Sequence, residues 1–195
     1  MNKEEVILNP EQIKNFEKLI ENIPKLKLPQ TNFRDKIYFA KVKPNAIIPS
    51  KKEEDAGYDI YACIDEDNLV IEPFETKLIP TGIASAFSND YVIAIRERGS
   101  SGIKGLKVSA GVIDSGFRNQ WFVAIYNANA KPVVITKEKD TTVLENDYIV
   151  YPQSKAIAQM LLLPVPKVDV EEMPYDELLK IKSERGLGKL GSSGK

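Results

Sequence analysis

Histidine is absent from all 195 residues. That excludes a Ser-His-Asp triad, a Cys-His dyad, a His-ligated zinc and an imidazole proton shuttle, so acid-base chemistry falls to carboxylates, Lys, Tyr or the backbone. Cysteine occurs once, which rules out an internal disulfide and suits a reducing compartment. No apolar run approaches the ~20 residues that span a bilayer, so no membrane role is expected. Neither sign of charge dominates: 27 basic against 28 acidic residues give a formal net charge of -1. Nucleic-acid platforms need a lopsided Lys/Arg surface, so no nucleic-acid partner is expected either. The opening Met1-Asn-Lys-Glu-Glu is too acidic and polar for a signal peptide, and a cytoplasmic location is the expectation.

What is present is a soluble-protein composition, 43% hydrophobic and 28% charged, at a length suited to one domain with short extensions. Residues 1–35 read as a helix and connector. Asn9 can cap it, Pro10 suits its first turn, and Ile13, Phe16, Leu19 and Ile20 fall on one face before Pro24 stops it. Such a helix docks on the main body or binds a protein partner. From residue 36 to 166, short β-branched or aromatic runs recur between Gly, Pro, Asn and Asp: Ile37–Val42, Ala46–Ile48, Leu69–Ile71, Lys77–Ile79, Tyr91–Ile95, Trp121–Tyr126, Val133–Thr136, Tyr148–Tyr151 and Ile157–Leu163. Many short strands with regular turn signals predict an all-β sandwich, barrel or jelly roll, and no strand-helix alternation suggests a doubly wound fold. Residues 167–195 form a C-terminal arm: a short helix can run from Pro174 to Lys182, and the Gly/Ser-rich end is either disordered or a lid that orders on a ligand.

Four segments carry chemistry. Asp55-Ala-Gly57-Tyr58-Asp59-Ile60-Tyr61-Ala62 predicts a strand bearing Asp59, whose carboxylate needs a cation or a hydrated metal if half-buried. Arg96-Glu-Arg98-Gly99-Ser100-Ser101-Gly102 is either an ordinary polar turn or an anion-friendly one, with glycines permitting close approach and serines offering donors. Ala110 to Arg118 predicts a hairpin with an exposed main chain, in which Asp114 is a turn residue or a general base holding a water. The tail's Gly186-Leu-Gly188-Lys-Leu-Gly191 matches a dinucleotide fingerprint only formally, because too few residues follow for a helix. Its amides beside Ser192 and Ser193, with Arg185 ahead of them, instead suit anionic oxygens.

Together these segments resemble the dUTP diphosphatase (dUTPase) family of the trimeric all-β type, which carries five motifs in fixed order. Ala56–Ala62 is similar to the first, Arg98–Gly102 to the second, Ala110–Phe117 to the third, Ile157–Leu161 to the fourth and Arg185–Gly194 to the fifth. The resemblance covers about residues 36 to 195 and implies a distorted jelly roll (the β-clip) that forms a homotrimer with active sites shared between chains. It implies hydrolysis of dUTP to dUMP and diphosphate with Mg2+, which limits uracil incorporation into DNA. By the same resemblance Asp114 activates the water that attacks the α-phosphorus. Arg98, Ser100, Ser101 and Gly102 hold phosphate oxygens; the backbone of Gly111, Val112 and Ile113 reads uracil; Phe117 packs under the deoxyribose. Gln159 places the phosphates, Arg185, Gly191, Ser192 and Ser193 grip the terminal phosphate, Leu190 covers the base, and Asp59 meets the magnesium through water.

Several positions depart from the family pattern. Phe117 stands where a tyrosine is usual and Leu190 where a stacking phenylalanine is usual; Asn119 and Gln120 replace a Gly and an acid, and Lys155-Ala156 an Asp-Arg pair. Two rivals share the fold. A dCTP deaminase needs a proton-carrying glutamate on the strand after the third motif, near the place where Ala124 stands. A regulatory protein would act through protein contacts, for which the N-terminal helix is the candidate surface.

Overall fold

The computed structural model describes residues 36–188. The chain divides into two compact units, residues 1–36 and 37–195, and all that follows concerns the second. The expected N-terminal helix, and Leu190, Gly191, Ser192 and Ser193 in the tail, lie outside the described residues.

Twelve strands in four small sheets make up the described body, so the all-β expectation holds. The sheet that positions the site runs β2 (Tyr58–Tyr61), β12 (Ala156–Pro164), β6 (Tyr91–Arg96), β8 (Val112–Ile113), and its pairs are antiparallel. At nine residues β12 is long enough to pair with both neighbours, and its register on β2 shifts between Ala156 and Ala158. A second sheet places β9 (Phe122–Asn127) between β4 (Thr76–Pro80) and β7 (Leu106–Ser109). A third places β10 (Val133–Thr136) between β3 (Asn68–Ile71) and β11 (Ile149–Pro152), with the β10–β11 pair parallel. All four residues of β10 are buried, which accounts for an unbroken Val-Val-Ile-Thr run instead of an alternating one. The pair β1 (Tyr38–Lys41) and β5 (Ile83–Ala86) completes the set.

The core lies between these sheets and is dominated by isoleucine. Ile60, Ile71, Ile79, Ile93, Ile125 and Ile135 are all buried, with Trp121 edge-on to Phe39 at 5.4 Å between ring centroids. Each of these isoleucines belongs to a different strand.

Three expectations change. Ala46–Ile48 is not a strand: Pro44 and Pro49 bracket it and remove ladder donors, only Ala46 is buried, and its N–H closes a turn on the Lys43 carbonyl. The serine-rich segment is a short helix α1 (Gly99–Ile103) instead of a plain turn. The arm helix α2 spans only Tyr175–Leu178. No helix among the described residues is long and apolar enough to cross a membrane.

Candidate active site

The middle of the β2–β12–β6 ladder brings Asp59, Gln159 and Arg96 into one cross-strand row, since Gln159 pairs with Asp59 on one side and Arg96 on the other. Directly opposed residues present their side chains on the same face. Two residues beyond Arg96 the chain leaves the strand at Arg98, still extended (φ -82°, ψ 151°), and its guanidinium turns back onto the row. Arg98 Nε lies 2.8 Å from Asp59 Oδ1, and both side chains are about one third exposed. The half-buried carboxylate therefore has the cation that its position on a strand called for.

This row floors a cleft of about 410 Å³ lined by Asp55, Ala56, Gly57, Asp59, Arg98, Gly99, Ser100 and Gln159. Gln159 is held from both sides. Its Nε2 donates to the Glu97 carbonyl at 2.8 Å. A Cβ on Gly57 would come 2.2 Å from its Oε1, so only glycine leaves the amide room. The two adjacent serines differ. Ser101 is buried and its hydroxyl closes on the Arg98 backbone, accepting from the N–H and donating to the carbonyl at 3.1 Å each. Ser100 is exposed and lines the cleft, within 3.5 Å of Arg98 Nη1. The Gly102 N–H is spent on the Arg98 carbonyl at 2.8 Å.

The hairpin segment is built differently. Ala110 takes a left-handed conformation (φ 51°), and Gly111 then passes so close to β6 that a Cβ there would lie 2.4 Å from the Ile95 carbonyl oxygen. The Ile95 N–H donates to the Gly111 carbonyl at 2.6 Å and fixes the approach. Val112 is 65% exposed, Ile113 is buried, and Asp114 and Phe117 are exposed at the tip, where the Phe117 N–H donates to the Asp114 carbonyl. Among the described residues no hydrogen-bond or ion-pair partner holds the Asp114 carboxylate.

Thus the structure gathers Asp59, Arg98, Ser100 and Gln159 around one cleft, and Gly111–Phe117 are not among its lining residues. Val112 pairs with Ala94 and Ile113 with Ile93, so β8 runs toward the start of β6, away from Arg98, and Asp114 follows it. Arg185 lies on the arm, where every described residue from 163 to 188 is exposed.

Three residues of the site are not evident from the sequence. Asp55 stands only at the edge of its motif, yet its carboxylate adds to Asp59 in the lining. Glu97 ties the cleft together: besides receiving Gln159 on its carbonyl, it accepts the Val108 N–H on its carboxylate at 2.9 Å. That N–H and its own backbone N–H hold the carboxyl below the usual carboxylate range. Its place between two arginines is the only signal. Tyr151 carries none: it lies on β11 of another sheet, behind the cleft, where its hydroxyl donates to the Ala156 carbonyl that Arg98 Nη1 approaches.

Comparisons with known proteins give a family model, curated relatives and solved structures. The family model described as dUTPase matches residues 43–140. The deoxyuridine 5'-triphosphate nucleotidohydrolase of Nautilia profundicola is 32% identical over 82% of this chain and 99% of its own length. The Pol polyprotein of caprine arthritis encephalitis virus is 32% identical over 98% of this chain, which spans only 16% of that polyprotein. Among solved structures, a mutant of the Staphylococcus bacteriophage 80alpha dUTPase with dUpNHpp superposes with a TM-score of 0.64 at 25% identity, over 85% of this chain and all of that one.

Proposed function

The chain belongs to the dUTPase family, and on that premise we propose how it converts dUTP and water to dUMP and diphosphate, limiting uracil incorporation into DNA. The observation that carries the reading is the Asp59–Arg98–Gln159 cleft, a preorganised anion site in which Asp59 holds Arg98 and the Glu97 carbonyl holds Gln159. Arg98 presents a permanently charged fork, with Nε steadied by Asp59. Ser100 donates to a phosphate oxygen, while Ser101 and Gly102, engaged with the Arg98 backbone, set the geometry of the segment. Gln159 offers its amide to the phosphates from a fixed position.

At the hairpin, the main chain of Gly111, Val112 and Ile113 reads the uracil edge, and Phe117 packs against the deoxyribose. Discrimination against cytosine follows because a mismatched donor or acceptor would be left unpaired on burial. Asp114 accepts a proton from the water that attacks the α-phosphorus, and the P–O bond to the diphosphate breaks. Arg185, with Gly191, Ser192 and Ser193, closes on the terminal phosphate, and Leu190 covers the base.

A magnesium ion enters this scheme with the substrate. Among the described residues no three His, Cys, Asp or Glu side chains gather as metal ligands, and Asp59 is already paired with Arg98. That donor set would not chelate an ion by itself, and Asp59 is the residue that would meet the hydration shell of one arriving with the substrate. When bound, the ion neutralises part of the triphosphate charge and favours departure of diphosphate. Charge is needed there, since two carboxylates and one guanidinium line the cleft.

We further infer a homotrimer whose sites are shared. Ile113 pairs with Ile93 near the start of β6, whereas Arg98 follows the end of that strand, so in this reading the Asp114 of one chain serves the Arg98 of another. The arm also leaves Val168, Val170, Tyr175 and Ile181 59–94% exposed, an apolar surface that a neighbouring copy can cover. A reducing, cytoplasmic setting suits the single buried thiol, Cys63.

The direct experiment supplies dUTP, dCTP, dTTP and UTP with magnesium and measures diphosphate and ammonia separately. Diphosphate from dUTP without ammonia is expected, and ammonia from dCTP would overturn the reading. Deamination is disfavoured because Ala124, between Leu78 and Ser109 on the neighbouring strands, carries no proton. Site sharing has its own test. Arg98→Ala and Asp114→Asn chains, each inactive alone, should recover about a quarter of the sites when reassembled as an equal mixture. No recovery would mean that one chain supplies both residues.

A further inference from the structure

We propose that Tyr151 is a positioning residue for substrate phosphate: its buried hydroxyl fixes the Ala156 carbonyl against which the Arg98 guanidinium rests. The proposal rests on the reading of the Asp59–Arg98 cleft as the phosphate site. Tyr151 is 2% exposed near the end of β11, and its hydroxyl donates to the Ala156 carbonyl at 2.7 Å. Arg98 Nη1 approaches the same carbonyl at 3.5 Å and Ser100 Oγ at 3.5 Å. The phenol, the carbonyl, the guanidinium and the serine therefore form one cluster on the inner side of the cleft. Asp59 holds Arg98 at Nε from the other side. A guanidinium needs two such anchors to keep its plane fixed, because one contact alone leaves rotation about it.

Two further features favour this role over simple core filling. Ala156 stands where the register of β12 shifts, so an even ladder does not hold its backbone, and the Tyr151 hydroxyl supplies a bond from a different sheet. Burial pushes the phenol above its usual range, while the neighbouring Arg98 pulls it back. At neutral pH it therefore stays protonated and remains the donor. Its ring is separately kept in place, with Lys104 Nζ 5.8 Å from the centroid, a contact that phenylalanine would retain.

Replacing Tyr151 by Phe removes the hydroxyl and leaves the ring. Affinity for dUpNHpp should fall about tenfold, the scale of one lost bond supporting a charged group, while affinity for deoxyuridine should stay within about twofold. A merely structural role would move both ligands together, and equal losses would overturn the proposal. A double-mutant cycle with Arg98→Lys adds a second reading: if Tyr151 acts through Arg98, the two losses on dUpNHpp combine to less than their sum. Full additivity would overturn it. A parent protein that binds no dUpNHpp would overturn the phosphate reading and this proposal with it. A parent that binds it, with Y151F equal to the parent, would overturn the proposal alone.

Discussion

The cleft and the hairpin are opposite solutions to presenting polar groups. In the cleft the side chains are on offer and nearly every one is tied: Asp59 to Arg98, Gln159 to Glu97, Ser101 to the Arg98 backbone. In the hairpin the outer edge of β8 is on offer while β6 holds the inner one, and Asp114 and Phe117 stand exposed at its tip. A triphosphate is a large, flexible charge, and binding it tightly requires donors whose ordering cost is met before the ligand arrives. A base edge is flat and rigid, and a strand-like backbone already matches its spacing of donors and acceptors. The cleft therefore holds its side chains among its own residues, whereas the tip of the hairpin stands open.

The sharpest way to break that contrast is Asp114→Asn. The side chain has no partner among the described residues, so the change should leave fold and melting temperature untouched while turnover falls at least ~100-fold, with dUpNHpp binding kept. Turnover close to that of the parent would remove Asp114 from the chemistry.

Gly111→Ala attacks the hairpin through its backbone. The new Cβ would sit 2.4 Å from the Ile95 carbonyl oxygen, and neither backbone can yield cheaply. Destabilisation of roughly 1–3 kcal/mol is expected, as for other overpacked sites, along with weaker deoxyuridine binding. Chemical denaturation and a nucleoside titration check both. Gly57→Ala is the matching change in the cleft. Its Cβ would meet the mobile end of Gln159, so the amide leaves the Glu97 carbonyl and the fold survives. The loss should be about 1 kcal/mol in dUpNHpp binding, one hydrogen bond, with deoxyuridine binding unchanged. If both glycine variants weaken both ligands equally, the two regions are not separable.

Legibility in the sequence follows the same division. The strands with β-branched runs, such as Val133–Thr136, stand out because burial on both faces demands an unbroken apolar stretch. β5 does not: Ile-Ala-Ser-Ala has little β preference, and its strand form comes from pairing with β1. Ala46–Ile48 misleads because its apolar content is that of a strand while the prolines on either side forbid one. In the site, Asp59, Arg98 and Gln159 are legible one by one as motif residues. Their union is not, since three separate strands supply the segments that carry them and only register aligns these. Nor can the sequence indicate that Ser101 turns inward while Ser100 faces the cleft, a difference made by one turn of helix.

The smallest expected effect falls on Glu97, which joins the two regions. Its carbonyl steadies Gln159 in the cleft, and its carboxylate receives the N–H of Val108, three residues before Gly111. The carboxyl is held below its usual range by that N–H and its own, so the stabilisation belongs to the ionised form. It is present in full above the unfolded-state pKa and is lost as pH falls through the lowered folded-state value. Glu97→Gln keeps an acceptor but not the charge. Its melting temperature should therefore lie slightly below the parent's at neutral pH, and the two should converge on acidification. The same change should weaken deoxyuridine more than dUpNHpp, because the carbonyl that holds Gln159 is untouched while the strand leading to the hairpin is loosened. A gap in melting temperature that stays constant down through the carboxylate range would mean that the Glu97 charge does not hold the two regions together.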